Sequence, residues 1–168
     1  MKKGRIAQSI AGAVLLILVL CSLLIRTPHL VLTNGETNRL LYAAPFGDGD
    51  LFSLSHIHSL HQSPVTEIYT VRDGQIFLVA LEFESFGAGL PEVLEPGQVL
   101  TRLETGGLRV DGFERQIPDL RYLIGHVAEH TLHLSDQRIP LQSLDQAGQS
   151  VQFTPRQLNL WQRLYFKR

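Results

Sequence analysis

The chain has 168 residues, of which 44% are hydrophobic and 18% charged, a composition that excludes a disordered polymer, since such chains lack the apolar content that offsets the entropy of ordering. Four of its 15 basic residues fall within the first 26 positions, leaving 11 basic against 16 acidic side chains in the remainder. That balance argues against nucleic acid as a partner, because phosphate neutralisation needs clustered Lys and Arg.

The first element is a run without charge from Ile6 to Ile25, "IAQSIAGAVLLILVLCSLLI", preceded by Lys2, Lys3 and Arg5. Twenty helical residues span roughly 30 Å, the hydrocarbon thickness of a bilayer. Residues 1–26 are therefore expected to be a single transmembrane helix, with the basic end cytoplasmic and the rest of the chain outside the cytoplasm. Two other readings stay open: a cleaved signal segment, and a lipid-modified Cys21. Cys21 is the only cysteine, so no intramolecular disulfide forms and packing must hold the domain together.

Residues 27–153 read as one extracytoplasmic β domain, of a length suited to a single core. Short apolar or alternating runs are separated by turn residues: "HLVLT" before Asn34-Gly35, "LFSLSHIH", "VTEIYTV", then Asp73-Gly74 and "QIFLVALEFES". Gly106-Gly107, Asp111-Gly112, Ser135-Asp136 and Ala147-Gly148 continue the punctuation. This spacing predicts an all-β fold, an antiparallel sandwich or a partly closed barrel. Residues 154–168 read as a short amphipathic helix with a basic tail, Thr154 as N-cap and Pro155 at the first helical position, with Leu158, Trp161, Leu164 and Tyr165 at helical spacing. Its face either packs on the sheet or, with Arg156, Arg163, Lys167 and Arg168, rests on anionic headgroups.

Six of the seven histidines form two clusters, His56, His58 and His61, and His126, His130 and His133. The two-residue period of a strand puts His56 and His58 on the face of Phe52 and Leu54, and puts Glu67 beside Val65, Tyr69 and Val71. With residues 59–64 as a hairpin loop, His58 would pair with Val65 and His56 with Glu67. A carboxylate and an imidazole on one apolar face satisfy each other. A metal reading takes His56 or His58, Glu67 and one histidine of the second cluster as ligands, since imidazole and carboxylate together suit zinc. No metal or other cofactor is assigned on that basis. A hydrolase reading, with Ser59 or Ser85 as nucleophile, lacks a G-x-S-x-G elbow and adjoining base, and no catalytic residue is assigned.

The stretch "SFGAGLP", Ser85 to Pro91, follows the most strand-like run and carries two glycines. Gly87 and Gly89 permit a backbone nest whose N–H groups accept an anion. Either an internal carboxylate such as Glu67 caps that nest or an external anionic ligand does.

"HIHSLHQSPVTEIYTV", "SFGAGLP" and "GHVAEHTLHL...IPL" together resemble the family called domain of unknown function 1850. The matching positions are His58, Ser59, Pro64, Val65 and Glu67, and Ser85, Phe86, Gly87, Ala88, Gly89, Leu90 and Pro91; the resemblance runs over roughly positions 30–153. His56 stands where the family has an aromatic, and His61 where it has glutamate. The resemblance implies a small membrane-associated extracytoplasmic protein of the kind encoded beside TAXI-type tripartite ATP-independent periplasmic (TRAP) transporters. The expected ligand- or partner-binding residues are His58, Ser59, Glu67 and Ser85 to Pro91. The expected function is that of an accessory or binding module contacting the transporter's permease or solute-binding protein. The alternative is a small-ligand or metal-binding β domain built on His58, Glu67 and the glycine loop 86–90.

Overall fold

The computed structural model describes residues 2–58, 62–85, 93–125 and 127–166, with side chains described from Ile10 onward except at Ala11. Helix α1 runs Lys2–Leu24 and ends where the Ile25 amide donates to the Cys21 carbonyl. Strand β1, Arg26–Asn34, starts one residue later. Among the described residues no helix is long and apolar enough to cross a membrane; the described part of α1 is nevertheless apolar, with Leu15, Leu16, Ile17 and Leu18 all exposed.

The strands that follow are β2 (Leu40–Pro45), β3 (Leu51–Ile57), β4 (Pro64–Arg72), β5 (Gln75–Phe83), β6 (Val99–Arg102), β7 (Leu108–Gln116), β8 (Leu120–Leu123), β9 (Thr131–Leu134), β10 (Gln137–Pro140) and β11 (Ser150–Asn159). They form two antiparallel sheets. The smaller has the order β2-β1-β11-β8 and the larger β10-β9-β3-β4-β5-β7-β6. The expected all-β architecture is therefore present, in its two-sheet form.

Alternation places the core between the sheets. Leu30 and Leu32 of β1, Val151 and Phe153 of β11 and Leu120 of β8 meet Phe52 and Leu54 of β3, Tyr69 and Val71 of β4 and Leu132 and Leu134 of β9. Phe52 is its centre, stacked on Tyr69 and Phe153 and edge-on to Phe46. A second, smaller apolar cluster, Val65, Leu81, Phe83, Leu108 and Val110, lies on the larger sheet alone, with Phe113 packed against it.

The turn chemistry explains the hairpins. Asp73 and Gly74 both hold positive φ between β4 and β5, and Ser135 does so between β9 and β10, as tight primed turns require. Asp111-Gly112, by contrast, makes no turn. It lies inside β7 at a register shift against β5, with Gly112 at φ +89°, and a Cβ there would meet the Gly97 carbonyl oxygen at 2.3 Å. A bulge uses the same residue type for a different purpose.

Three further expectations change. The β3–β4 pairing joins Ile57 to Pro64, His56 to Val65 and Leu54 to Glu67, two residues out of the expected register. The cause is local: the His58 amide donates to the Ser63 carbonyl, so the loop occupies 58–63 and His58 lies beyond the strand. The C-terminal helix does not begin at Thr154-Pro155, because those residues pair with Val31 and Leu30 in β11. Pro155 is tolerated there since β8 pairs only with Ser150 to Phe153, leaving the Pro155 edge open. Helix α2 is Leu160–Tyr165, capped by a reciprocal pair of hydrogen bonds between Asn159 and Gln162.

Candidate functional site

The two apolar clusters are divided by a polar seam on the inner face of the larger sheet. Glu67 stands at the division: its strand neighbours on that face are Val65 of the small cluster and Tyr69 of the main core, and its cross-strand partners are Leu54 and Leu81. Burial raises its carboxyl above the usual carboxylate range, and a hydrogen bond from Tyr69 and the charge of Arg115 offset this in part. Tyr69 is itself 3% exposed, and burial, then the neighbouring carboxylate, pushes its phenol upward.

The seam continues to β8. The Tyr69 and Tyr122 hydroxyls lie 3.1 Å apart. When Glu67 is ionised it only accepts, so Tyr69 then donates to it and Tyr122 to Tyr69, a relay directed at one carboxylate. Tyr122 is also edge-on to His130, with ring centroids 5.3 Å apart, and His130 faces His56 at 5.4 Å. Both imidazoles are held below their ordinary value: His56 by burial first and then by His130 and His58, His130 by burial. The Nδ1 atoms of both are buried, without a hydrogen-bond partner among the described residues. Buried polar atoms are paired in nearly every native structure, so these two adjacent atoms make the position a candidate for a further hydrogen-bond partner.

The structure brings together part of the expected set. Glu67 and His56 share the inner face as alternation requires, and His130 joins them from the approach to β9. His133 does not: it lies on the outer face, 2.8 Å from the Ser55 hydroxyl. Ser85 is exposed just past the end of β5. Ser59, His61, the run Phe86, Gly87, Ala88, Gly89, Leu90 and Pro91, and His126 lie outside the described residues, so the capping of the glycine loop is not part of the geometry above. Their described flanks are nevertheless neighbours. His58 precedes the 59–61 stretch at one end of β3, and Phe83, at the same end of β5, pairs with Val65. Among the described residues no group of three or more His, Cys, Asp or Glu is placed to hold a metal ion.

Tyr122 is the member that pattern reading missed, whereas His130 is one of the second-cluster histidines that the metal reading set beside His56 or His58 and Glu67. The signal was in "LRYL", where Leu120 and Tyr122 share a face with period two, and a phenol on a core face needs a hydrogen-bond partner.

No curated protein and no solved structure matches the chain. A family model described as Domain of unknown function (DUF1850) matches residues 52–141, a narrower span than the 30–153 of the resemblance. The matched segment runs from β3 through β10, so it contains Glu67, Tyr69, Tyr122 and His130 and excludes β1, β11 and α1. It covers more than half of the chain, and the protein belongs to this family of unknown function.

Proposed function

We propose that the protein is a membrane-anchored extracytoplasmic binding module, serving as accessory to a TRAP-type (TAXI) solute transporter by contacting its permease or solute-binding protein. The observation that carries the reading is the junction of α1 and β1. A 23-residue helix, charged only at its first turns by Lys2, Lys3 and Arg5, passes into the β domain at Arg26 with no linker. Exposed leucine, isoleucine and valine side chains along one segment demand an apolar environment. At about 1.5 Å per residue, the uncharged run of residues 6–25 amounts to about 30 Å, close to the hydrocarbon thickness of a bilayer. Basic residues ahead of it direct the β domain out of the cytoplasm. The family resemblance supplies the transporter as partner.

The test has two arms. Periplasm-dependent reporter fusions after Arg168 should be active, and inactive fusions would refute the topology. Cross-linking in native membranes should capture a TRAP component through the β domain, and a deletion strain should lose solute uptake. Repeated capture of none, with uptake unaltered, would reject the partnership.

A second reading, a small-ligand or metal site at His58, Glu67 and the loop 86–90, is favoured by the unmet Nδ1 atoms of His56 and His130 beside that carboxylate's seam. Zinc titration by calorimetry should then release heat in the parent, and less in a folded Glu67→Ala variant. Absence of heat, with an unchanged melting temperature, removes the metal form of this reading.

A further inference from the structure

Helix α2 spends none of its residues on the core. Leu160 is 40% exposed, Trp161 54%, Leu164 50% and Tyr165 72%. At 100° per residue these four occupy one arc of the helix, while Gln162 and Arg163 take the opposite side. The polar side is turned to the domain: Arg163 lines a small cleft with His29, Ala43, Pro45 and Leu158. The apolar arc therefore faces away from the β domain, the reverse of what a core-covering terminal helix does.

Its position is held by α1. The Trp161 indole Nε1 donates to the Ser22 hydroxyl at 3.0 Å, and that hydroxyl donates to the Val19 carbonyl at 2.7 Å. Ser22 lies two residues before the end of α1, and Leu24 and Ile25 beside it are exposed as well. Next to α2 the charge is basic: Arg26 is exposed and pairs with Asn159, the residue that caps α2, and no acidic residue occurs in the sequence after Asp145, whereas Arg156 lies farther off, in a cleft with Asp48 and Asp73.

We infer that α2 lies in the headgroup layer of the membrane beside the point where α1 enters it, with Trp161, Leu164 and Tyr165 inserted and the basic residues on anionic lipid. The inference rests on the anchor reading above. Amphipathic tryptophan and tyrosine favour this depth, where one edge of the ring is apolar and the other wet. A basic interfacial helix gains from apolar burial and from lipid charge together. A second copy of the chain or a transporter helix would also cover an apolar arc, but the continuity of α2 with the end of α1 through Trp161 and Ser22, and the basic Arg26 and Arg163 at this helix, match an anionic surface.

Trp161 is the only tryptophan, so its fluorescence reports on α2 alone. The full chain would be reconstituted in vesicles of phosphatidylethanolamine with phosphatidylglycerol, and separately in phosphatidylcholine. Each would contain lipid brominated near the headgroup end of the acyl chain, and carbonate extraction would follow α1 independently. The expected result is carbonate-resistant protein whose Trp161 emission falls about twofold or more with brominated lipid and resists acrylamide, more so with phosphatidylglycerol. Leu164→Glu should abolish the lipid quenching while the melting temperature of the β domain stays put. Carbonate-resistant protein with Trp161 open to acrylamide and untouched by bromine overturns the inference and leaves the anchor standing. Protection from acrylamide without bromine quenching also overturns it, in favour of a protein neighbour. Carbonate-extractable, unquenched protein refutes the anchor and this inference with it.

Discussion

The two ends of the β domain use opposite chemistry. At the α1 end, Asp73 of the turn after β4 shares a cleft with Asp48, Pro28, His29 and Arg156, and apolar side chains of α1 and α2 are left exposed. From there β4 runs back over eight residues to Pro64, roughly 25 Å at the rise of a strand. Toward that far end lie a carboxylate and two imidazoles enclosed among aromatic rings. One end keeps apolar groups in the open and the other keeps polar groups inside. Both arrangements cost stability in an isolated domain, so both point to a role outside folding.

The strongest way to break this comparison is to remove what joins the ends. Phe52 is 2% exposed and stacks on Tyr69, the first member of the seam, and on Phe153 of the strand that leads to α2. Phe52→Ala is expected to cost about 3–5 kcal/mol, from lost burial and the cavity left behind. Chemical denaturation would measure it. A loss below about 1 kcal/mol would mean that each end is held separately.

The seam itself gives smaller, more specific effects. Tyr69→Phe removes the hydroxyl that donates to Glu67 and accepts from Tyr122. It should cost about 1–3 kcal/mol at neutral pH, because it strands a buried acceptor. Glu67→Gln acts in the other direction. The folded-state pKa of Glu67 is raised above its ordinary 4.5, so its contribution is fully present at low pH and is lost as pH rises through the raised value. The variant should be the more stable protein at neutral pH, with a flatter fall in melting temperature from acidic to neutral pH. His56 and His130 have the opposite sign. Their lowered values make stability present above 6.5 and lost as pH falls toward them. A Glu67→Gln protein should therefore retain the acid-side loss and lose the neutral-side one. An unchanged profile would show that Glu67 is solvated and the seam a surface feature.

Much of this layout is legible in the residues, and the failures have physical causes. Alternation put His56 and Glu67 on the core face correctly, since a slip of two residues preserves the side of every side chain. It could not count the loop, because the His58 to Ser63 hydrogen bond that closes it is set by tertiary fit. Thr154-Pro155 reads locally as a helix start, yet nine residues of β1 pair with β11 and override that preference. Asp111-Gly112 reads as a turn and serves as a bulge, for the same left-handed glycine suits either. The meeting of Tyr122 and His130 with Glu67 and His56 joins residues more than fifty positions apart, which no local pattern encodes.

The smallest expected effect sharpens the comparison from the α1 end. Arg72, the last residue of β4, pairs with Glu114 of β7, and both side chains are largely exposed. The Arg72 guanidinium also lies over the Phe77 ring, 5.5 Å from its centroid, so it keeps a partner when the carboxylate is gone. Water screens such a pair and ordering two long side chains offsets the attraction, so Glu114→Gln should change stability by no more than about 0.5 kcal/mol. The effect should shrink further in high salt. A loss several times larger would mean that surface charge holds the α1 end of the larger sheet, and lipid charge beside it would then alter folding as well as attachment.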